Sequence, residues 1–221
     1  MRAAERLEFF RRLAERDPEP RTELRYRSPF ELLVAVVLSA QSTDRAVNRV
    51  TERLFAEAPT PEAMLALGEE GLARRIASLG LYRSKARHLI ATCKILLSRH
   101  GGELPRDPSA LEALPGVGRK TARVLRNTLF GEPVVAVDTH VFRVANRTGL
   151  ARGRTVREVE ERLERRVPEP YRRHAHHWLV LHGRYVCRAR RPACERCPVA
   201  DLCAHRRRQL AARGSGSRGA S

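Results

Sequence analysis

The stretch LPGVGRKTA, residues 114–122, decides how this chain is interpreted. Gly116 and Gly118 flank the single apolar residue Val117, and this pattern allows a tight reversal because glycine accepts positive φ angles. A helix is predicted to begin at about Arg119, with its leading N–H groups pointing into the turn. Such a helix end can bind a phosphate without contacting a base. The pattern is typical of a helix-hairpin-helix and favours DNA binding, although ordinary turns between helices also use glycine.

Lys120 and Thr121 lie in the first turn of that predicted helix. The chain has 43 Lys and Arg residues, of which only Lys85, Lys94 and Lys120 are lysines. Unlike arginine, lysine can lose its proton and attack carbon as an amine. Burial, a helix N-terminus and the neighbouring Arg119 charge would all favour the neutral amine. Lys120 is therefore a candidate nucleophile, and the alternative role is a further phosphate contact.

The segment AVDTHV, residues 136–141, contains the second candidate site. Asp138 ends an apolar run just where a helical pattern begins, which predicts that it is an N-cap. Backbone N–H groups bound to an N-cap carboxylate favour its ionised form. A fixed anion of this kind can stabilise positive charge that develops on a sugar. An anion very close to Lys120 would oppose loss of the lysine proton, so the two groups should be far enough apart to admit the sugar.

Four of the five cysteines are spaced C-x6-C-x2-C-x5-C, at Cys187, Cys194, Cys197 and Cys203. With no export signal, clustered thiols indicate a metal centre and not disulfides. Structural zinc sites usually use two short C-x2–4-C pairs, and only one is present here. An iron–sulfur cubane also needs four thiolates, so the spacing leaves both centres open. The intervening loop carries Arg188, Arg190 and Arg191, which the metal would hold ready for phosphate.

The charge of the chain points to a polyanionic partner. The net charge is +18 and the pI is near 11.2, and residues 170–221 contain 12 Arg against two acids. Nucleic acid is the first expectation and an anionic membrane the second. The longest apolar run, residues 32–38, is too short to span a bilayer. The charged N-terminus lacks the apolar region of a signal peptide, so no membrane role is expected.

Helical signals dominate the chain, and the fold class is predicted to be all-α. Ser28–Glu31 and Thr155–Glu158 are predicted capping boxes, and Asp107 precedes a proline at a helix start. The only strand-like run, residues 134–137, is short. The stretch 206–221 contains five Arg and no acid and ends in Gly, Ser and Ala, which predicts a flexible basic tail.

Taken together, these motifs resemble the endonuclease III family of bifunctional DNA glycosylases and AP lyases in base excision repair. The likeness runs from about Glu5 to Cys203, and further segments carry it: SPFELL at 28–33, LSAQ at 38–41, GLY at 80–82 and HHW at 176–178. The resemblance implies a two-domain helix-hairpin-helix DNA glycosylase fold. A six-helix barrel would span residues 22–133, and an iron–sulfur cluster domain would combine residues 1–21 and 134–205.

The resemblance also implies roles for individual residues. Lys120 corresponds to the family nucleophile, Asp138 to its essential carboxylate, and His140 follows as in the family. Gln41 and Leu81 correspond to the residues that fill the gap left by a flipped nucleotide. The four clustered cysteines would hold a [4Fe–4S] cluster instead of zinc. The substrate would be double-stranded DNA with an oxidised pyrimidine or an abasic site, bound by a cytoplasmic, nucleoid-associated bacterial monomer.

Two alternatives remain at this stage. A non-catalytic DNA-binding protein with a structural zinc would be colourless and would not cleave abasic DNA. An adenine-mismatch glycosylase of the same fold would lack the lysine at position 120 and would have an additional C-terminal domain. Lys120 and the short segment after Cys203 argue against the second alternative.

Overall fold

The computed structural model describes the backbone of residues 1–216 and the side chains of residues 1–212. Its α-helices are α1 Ala3–Arg16, α2 Pro29–Leu38, α3 Asp44–Glu57, α4 Pro61–Arg75, α5 Tyr82–His100, α6 Pro108–Glu112, α7 Arg119–Phe130, α8 Thr139–Thr148, α9 Val156–Arg166, α10 Arg172–Tyr185 and α11 Ala204–Gly216. Residues 1–216 contain no β-strand, which confirms the all-α prediction. The strand-like run at 134–137 is irregular, and the described residues contain no second strand with which it could pair. None of the described helices is long and apolar enough to cross a membrane.

Helix starts follow the sequence signals, with one difference in detail. The Oγ of Ser28 accepts a hydrogen bond from the Glu31 amide at 3.1 Å, as predicted. The Glu31 carboxylate accepts its backbone bond from the Arg27 amide at 2.6 Å and not from Ser28. Thr155 and Glu158 repeat this arrangement, because Glu158 accepts from the residue before the cap. In both cases the acid satisfies a free N–H group one residue earlier than a capping box would.

Contacts divide the chain into two compact units, of which one is Thr22–Gly131. This unit contains α2 to α7. Helix α2 is buried along its length from Phe30 to Leu38, so the other helices pack around an apolar helix. Its one acid, Glu31, is buried against the Arg27 guanidinium at 3.1 Å, which compensates its charge. An apolar run at the centre of a helical unit explains why this stretch has no polar face.

The other unit combines Met1–Arg21 with the chain from Glu132 onward. Phe10 of α1 stacks on Tyr171 with ring centroids 6.0 Å apart. The indole N–H of Trp178 donates to the Asp17 carbonyl at 2.7 Å. These contacts join the first helix of the chain to α10 in one apolar core.

The described part of the predicted flexible tail is helical instead. Helix α11 continues to Gly216, whereas residues 217–221 lie outside the described part of the chain. Arg206 contacts both carboxylate oxygens of Glu195 at 2.8 Å, and Arg207 contacts Glu5 at 2.9 Å. The stretch 206–221 contains no acid, and the two acids that hold the first turn of this helix, Glu195 and Glu5, lie outside it.

Candidate active site and iron–sulfur centre

The predicted hairpin joins α6 to α7. Gly116 has φ +80, and a side chain there would place its Cβ 3.1 Å from the Cβ of His88 on α5. Val117 points into the core with 3% exposure. The Thr92 hydroxyl donates to the Pro115 carbonyl at 2.9 Å. Helix α5 therefore supports the hairpin from one side, and glycine is required at position 116 by both its conformation and its close packing.

Lys120 is exposed in the first turn of α7, as are the preceding Gly118 and Arg119. Gly118 is the N-cap of α7 and provides no side-chain hydrogen bond to the first amides of the helix. The positive end of the helix dipole lies beside Lys120. Burial, one of the three factors expected to favour the neutral amine, is absent from the described structure. If the amine is to be desolvated, a bound substrate must exclude the water.

Gln41 and Leu81 share an unusual backbone conformation. Their φ angles are +54 and +58, in the left-handed region that most side chains avoid, and both residues are exposed. Leu81 is also the N-cap of α5, with 57% of its surface exposed. A Cβ built on the neighbouring Gly80 would lie 3.7 Å from the Gln41 carbonyl oxygen. The two turns therefore lie close together, and each presents an exposed side chain from a strained backbone position.

Asp138 is the N-cap of α8, as the sequence predicts. Its Oδ1 accepts a hydrogen bond from the Val141 amide at 2.8 Å. Among the described residues its other oxygen has no hydrogen-bond partner, and the side chain is half-buried. The cap therefore fixes the orientation of the carboxylate and leaves an acceptor for a cationic group.

His140 is the second residue of α8, where it packs closely against α10. Its Nδ1 is 3.1 Å from a guanidinium nitrogen of Arg143. Arg143 also donates to the Gly183 carbonyl at 2.8 Å and to the Cys187 carbonyl at 2.9 Å. One arginine thus links the helix that begins at Asp138 to the start of the cysteine region.

The four clustered cysteines line a single pocket with His182, whose Nε2 is 3.8 Å from the Cys197 Sγ. Burial raises the pKa of the Cys197 thiol to about 11, and the neighbouring cysteines add to this effect. Burial also lowers the pKa of His182 to about 4, so this histidine is neutral at pH 7. Thiol protons must therefore leave when a metal centre binds.

This donor set fits a polynuclear cluster. Cys187, Cys194, Cys197 and Cys203 line one pocket and can supply the four thiolates that a cubane needs.

The loop that carries the three predicted phosphate-binding arginines is held from within the fold. Arg188, Arg190 and Arg191 are all exposed. The guanidinium of Arg147, one turn after Arg143 on α8, donates to the Arg188 and Ala189 carbonyls at 2.6 and 2.8 Å. It also lies 3.8 Å from the Cys187 Sγ. Arg147 was not identified from the sequence, because a basic residue on a basic helix gives no signal of its own.

The candidate residues are distributed over the two units. The hairpin, Lys120, Thr121, Gln41 and Leu81 belong to Thr22–Gly131. Asp138, His140, the cysteines and the loop arginines belong to the other unit.

Comparison with known proteins identifies the family. Residues 34–169 match the HhH-GPD superfamily of base excision DNA repair proteins, and residues 187–203 match the iron–sulfur binding domain of endonuclease III. The chain is 56% identical over 206 residues to endonuclease III of Escherichia coli K12, covering 93% of this chain and 98% of that protein. It is 54% identical to endonuclease III of Haemophilus influenzae, with the same coverage.

Solved structures agree with these likenesses. A non-covalent endonuclease III–DNA complex superimposes with a TM-score of 0.88 at 44% identity, covering 95% of this chain and 99% of that chain. A thermostable thymine-DNA glycosylase superimposes with a TM-score of 0.81 at 24% identity, covering 93% and 98%, and shows a likeness of fold.

The all-helical fold, the braced hairpin and the four-cysteine pocket define a helix-hairpin-helix DNA glycosylase with an iron–sulfur domain. More particularly, the chain belongs to the endonuclease III family. It is a base excision repair enzyme, a DNA glycosylase and AP lyase, and it binds DNA and a [4Fe–4S] cluster. The zinc alternative and the non-catalytic alternative are therefore wrong.

Close packing of α8 on α10 gives a prediction about stability. A Cβ at Gly183 would lie 2.7 Å from the Cβ of His140 and 3.2 Å from its Cα and carbonyl oxygen, so backbone must move. Gly183→Ala is expected to lower the free energy of unfolding by about 1–3 kcal/mol, as measured by urea denaturation. Gly71→Ala on α4 is the matched control, because its added Cβ meets ordinary contacts at 3.5 and 3.6 Å. Equal stability of the two variants would contradict this packing.

The cysteine pocket gives a second prediction. Cys194→Ser should remove the visible absorption of the cluster and release the loop at 188–193, so that limited proteolysis cuts there and affinity for DNA falls. Cys93→Ser is the control, since Cys93 is buried within the other unit and burial raises its pKa to about 12. That variant should keep the visible spectrum. A Cys194→Ser protein that retains an intact spectrum would remove Cys194 from the ligand set.

Proposed function

We propose that this enzyme removes oxidised pyrimidines of the thymine glycol type from duplex DNA, and that Lys120 then cuts the abasic strand through a Schiff base. The observation that carries the proposal is the exposed Lys120 in the first turn of α7, directly after a hairpin that α5 holds rigid. Lys94 is exposed but lies in the middle of a long helix, away from a helix N-terminus. Lys85 is buried, so it does not have the access to a DNA backbone that Lys120 has.

Base removal requires that the damaged nucleotide first leave the DNA duplex, because the sugar carbon is not accessible while the base is stacked. Extrusion of the nucleotide costs a few kcal/mol, and a damaged base that stacks poorly lowers this cost. Gln41 and Leu81 are suited to filling the resulting gap, since both are exposed on adjacent turns. The Gly116–Gly118 hairpin, with the amides of Arg119 and Thr121, would bind the backbone phosphate on one side of the damage.

The chemistry follows from a free amine and a fixed anion. The Lys120 Nζ forms a bond to C1′ while the glycosidic bond breaks and the base leaves with the electron pair. The unpaired oxygen of Asp138 stabilises the positive charge that develops on the sugar. The lysine nitrogen then gives a proton to the ring oxygen, the bond between C1′ and that oxygen breaks, and a protonated imine forms between Lys120 and C1′. A proton then leaves C2′, the C3′–O bond breaks with its electrons on the phosphate oxygen, and hydrolysis of the imine restores the lysine.

The cluster region has a supporting part in this proposal. The thiolates of Cys187, Cys194, Cys197 and Cys203 would hold the [4Fe–4S] cluster, which would cross-link the segment that carries Arg188, Arg190 and Arg191. These exposed arginines would bind phosphates. His140 would contact DNA next to Asp138. We take residues 22–133 and residues 1–21 with 134–205 as the two domains, acting as a monomer at the bacterial nucleoid.

A paired cleavage assay tests the proposal. A duplex containing thymine glycol and a matched duplex containing an abasic site are incubated with the enzyme in the presence and absence of borohydride. Both should be cut on the 3′ side of the damage, and borohydride should trap a covalent complex on each. Cleavage of the abasic duplex alone would confine the activity to the lyase step, and an undamaged duplex should remain intact as the control.

A further inference from the structure

Lys85 is a buried lysine for which the reaction described above has no use. Only 4% of its surface is exposed, and desolvation by burial lowers the pKa of its amine. Its Nζ donates to the Leu38 carbonyl at 2.8 Å and lies 3.3 Å from the Ser42 hydroxyl oxygen. A buried cation is costly unless the structure compensates it, so these contacts need an explanation.

The contacts of Lys85 connect the two turns that carry Gln41 and Leu81. Leu38 is the last residue of α2 and Ser42 closes the turn that contains Gln41. At its other end, Lys85 belongs to the first turn of α5, and its amide donates to the Leu81 carbonyl at 3.0 Å. The Lys85 backbone is thus bonded to the turn that contains Leu81, and its side chain is bonded to both ends of the turn that contains Gln41.

Both turns are strained, and strain persists only where neighbouring contacts maintain it. Gln41 and Leu81 each adopt a left-handed conformation without being glycine. The partial negative charge of a helix C-terminus stabilises a cation, and Leu38 provides it at the end of α2. A compact ammonium with three donors suits one carbonyl and one hydroxyl, whereas a planar guanidinium with five donors needs more space and more acceptors. This explains a lysine at position 85 in a chain that has only three lysines among its 43 Lys and Arg residues.

We propose that Lys85 is a positioning residue that fixes the spacing of Gln41 and Leu81, so that both can occupy the gap in a DNA duplex while the damaged nucleotide is extruded. The proposal rests on the gap-filling roles assigned above. Lys85 acts through the two turns and does not contact the reacting sugar. Lys85 is therefore required on duplex DNA, where the gap left by the extruded nucleotide must be filled. It is dispensable on single-stranded DNA, which has no such gap.

The test compares Lys85→Met with the matched control Lys94→Met, which removes an exposed lysine from the same helix. Methionine keeps an apolar chain of similar length and removes the donors. Excision of thymine glycol from a duplex is expected to slow by about tenfold to 10²-fold. Cleavage of an abasic site in single-stranded DNA should stay within twofold of the unmodified protein. Lys94→Met should change neither rate.

A binding readout separates positioning from chemistry. A fluorescent adenine analogue placed opposite the damage should brighten when the gap is filled, and Lys85→Met should abolish most of this increase. Unchanged fluorescence together with an unchanged duplex rate would overturn the proposal. If Lys85→Met is folded, as judged by circular dichroism, a proportional loss of rate on duplex and single-stranded DNA would also overturn the proposal, because the effect would then not depend on filling a gap in a duplex. Failure of the function proposed above would appear differently, as no trapped complex with the unmodified enzyme.

Ser42→Ala keeps the proposal testable if Lys85→Met does not fold. This variant removes only the hydroxyl contact of the ammonium, and Ser42 is only partly buried. It should lower the ratio of the duplex rate to the single-strand rate by about threefold. A ratio equal to that of the unmodified enzyme would overturn the proposal.

Discussion

Lys120→Gln will form no borohydride-trapped complex, and its cleavage of abasic DNA will fall by a factor on the order of 10⁴. The amide of glutamine has a similar reach but cannot form the imine. Because Lys120 is exposed on the first turn of α7, stability should change by less than about 0.5 kcal/mol. Affinity for a damaged duplex, measured by fluorescence anisotropy, should remain close to that of the unmodified enzyme.

Lys120→Arg is the control that separates charge from nucleophilicity. Arginine keeps the cation and its contact with phosphate, but its guanidinium stays protonated and does not attack carbon. It should bind damaged DNA as well as the unmodified enzyme does and should form no trapped complex. A trapped complex with either variant would remove Lys120 from its assigned role.

Asp138→Asn will reduce excision by about 10²–10³-fold, because it removes the negative charge that stabilises the cationic sugar. Asparagine caps helices as well as aspartate does, so the hydrogen bond from the Val141 amide should survive. The variant should therefore melt at nearly the same temperature as the unmodified protein. Single-turnover kinetics on a thymine glycol duplex provide the rate.

Asp138→Ala distinguishes the cap from the charge. Loss of an N-cap side chain costs about 1 kcal/mol, which should lower the melting temperature by about 2–4 °C in a protein of this size. The alanine and asparagine variants should lose similar amounts of activity while differing in stability. An asparagine variant with full activity would reduce Asp138 to a structural cap.

Some residues of the candidate site can be predicted from the sequence, and others cannot. Lys120 and Asp138 are predicted because each follows a local signal, a glycine hairpin or an apolar run that ends in an acid. Arg143 and Arg147 were missed, although their four-residue spacing places them on one face of the helix that Asp138 begins. Their partners lie about forty residues away, at Gly183, Cys187 and Arg188. No local pattern reports a contact over that separation.

Local sequence patterns were sufficient to predict where most helices begin, where the chain reverses at Gly116, and which four cysteines cluster around one pocket. These features depend on interactions within a few residues, or on a residue type that has few other uses. Three features emerge from the folded chain alone: Lys85 connects two strained turns, Gly183 leaves room for His140, and α11 is helical. The Lys85 ammonium needs the Leu38 carbonyl, Gly183 must make room for His140, and the arginines of α11 need acids from other segments. Packing of the folded chain brings these atoms together.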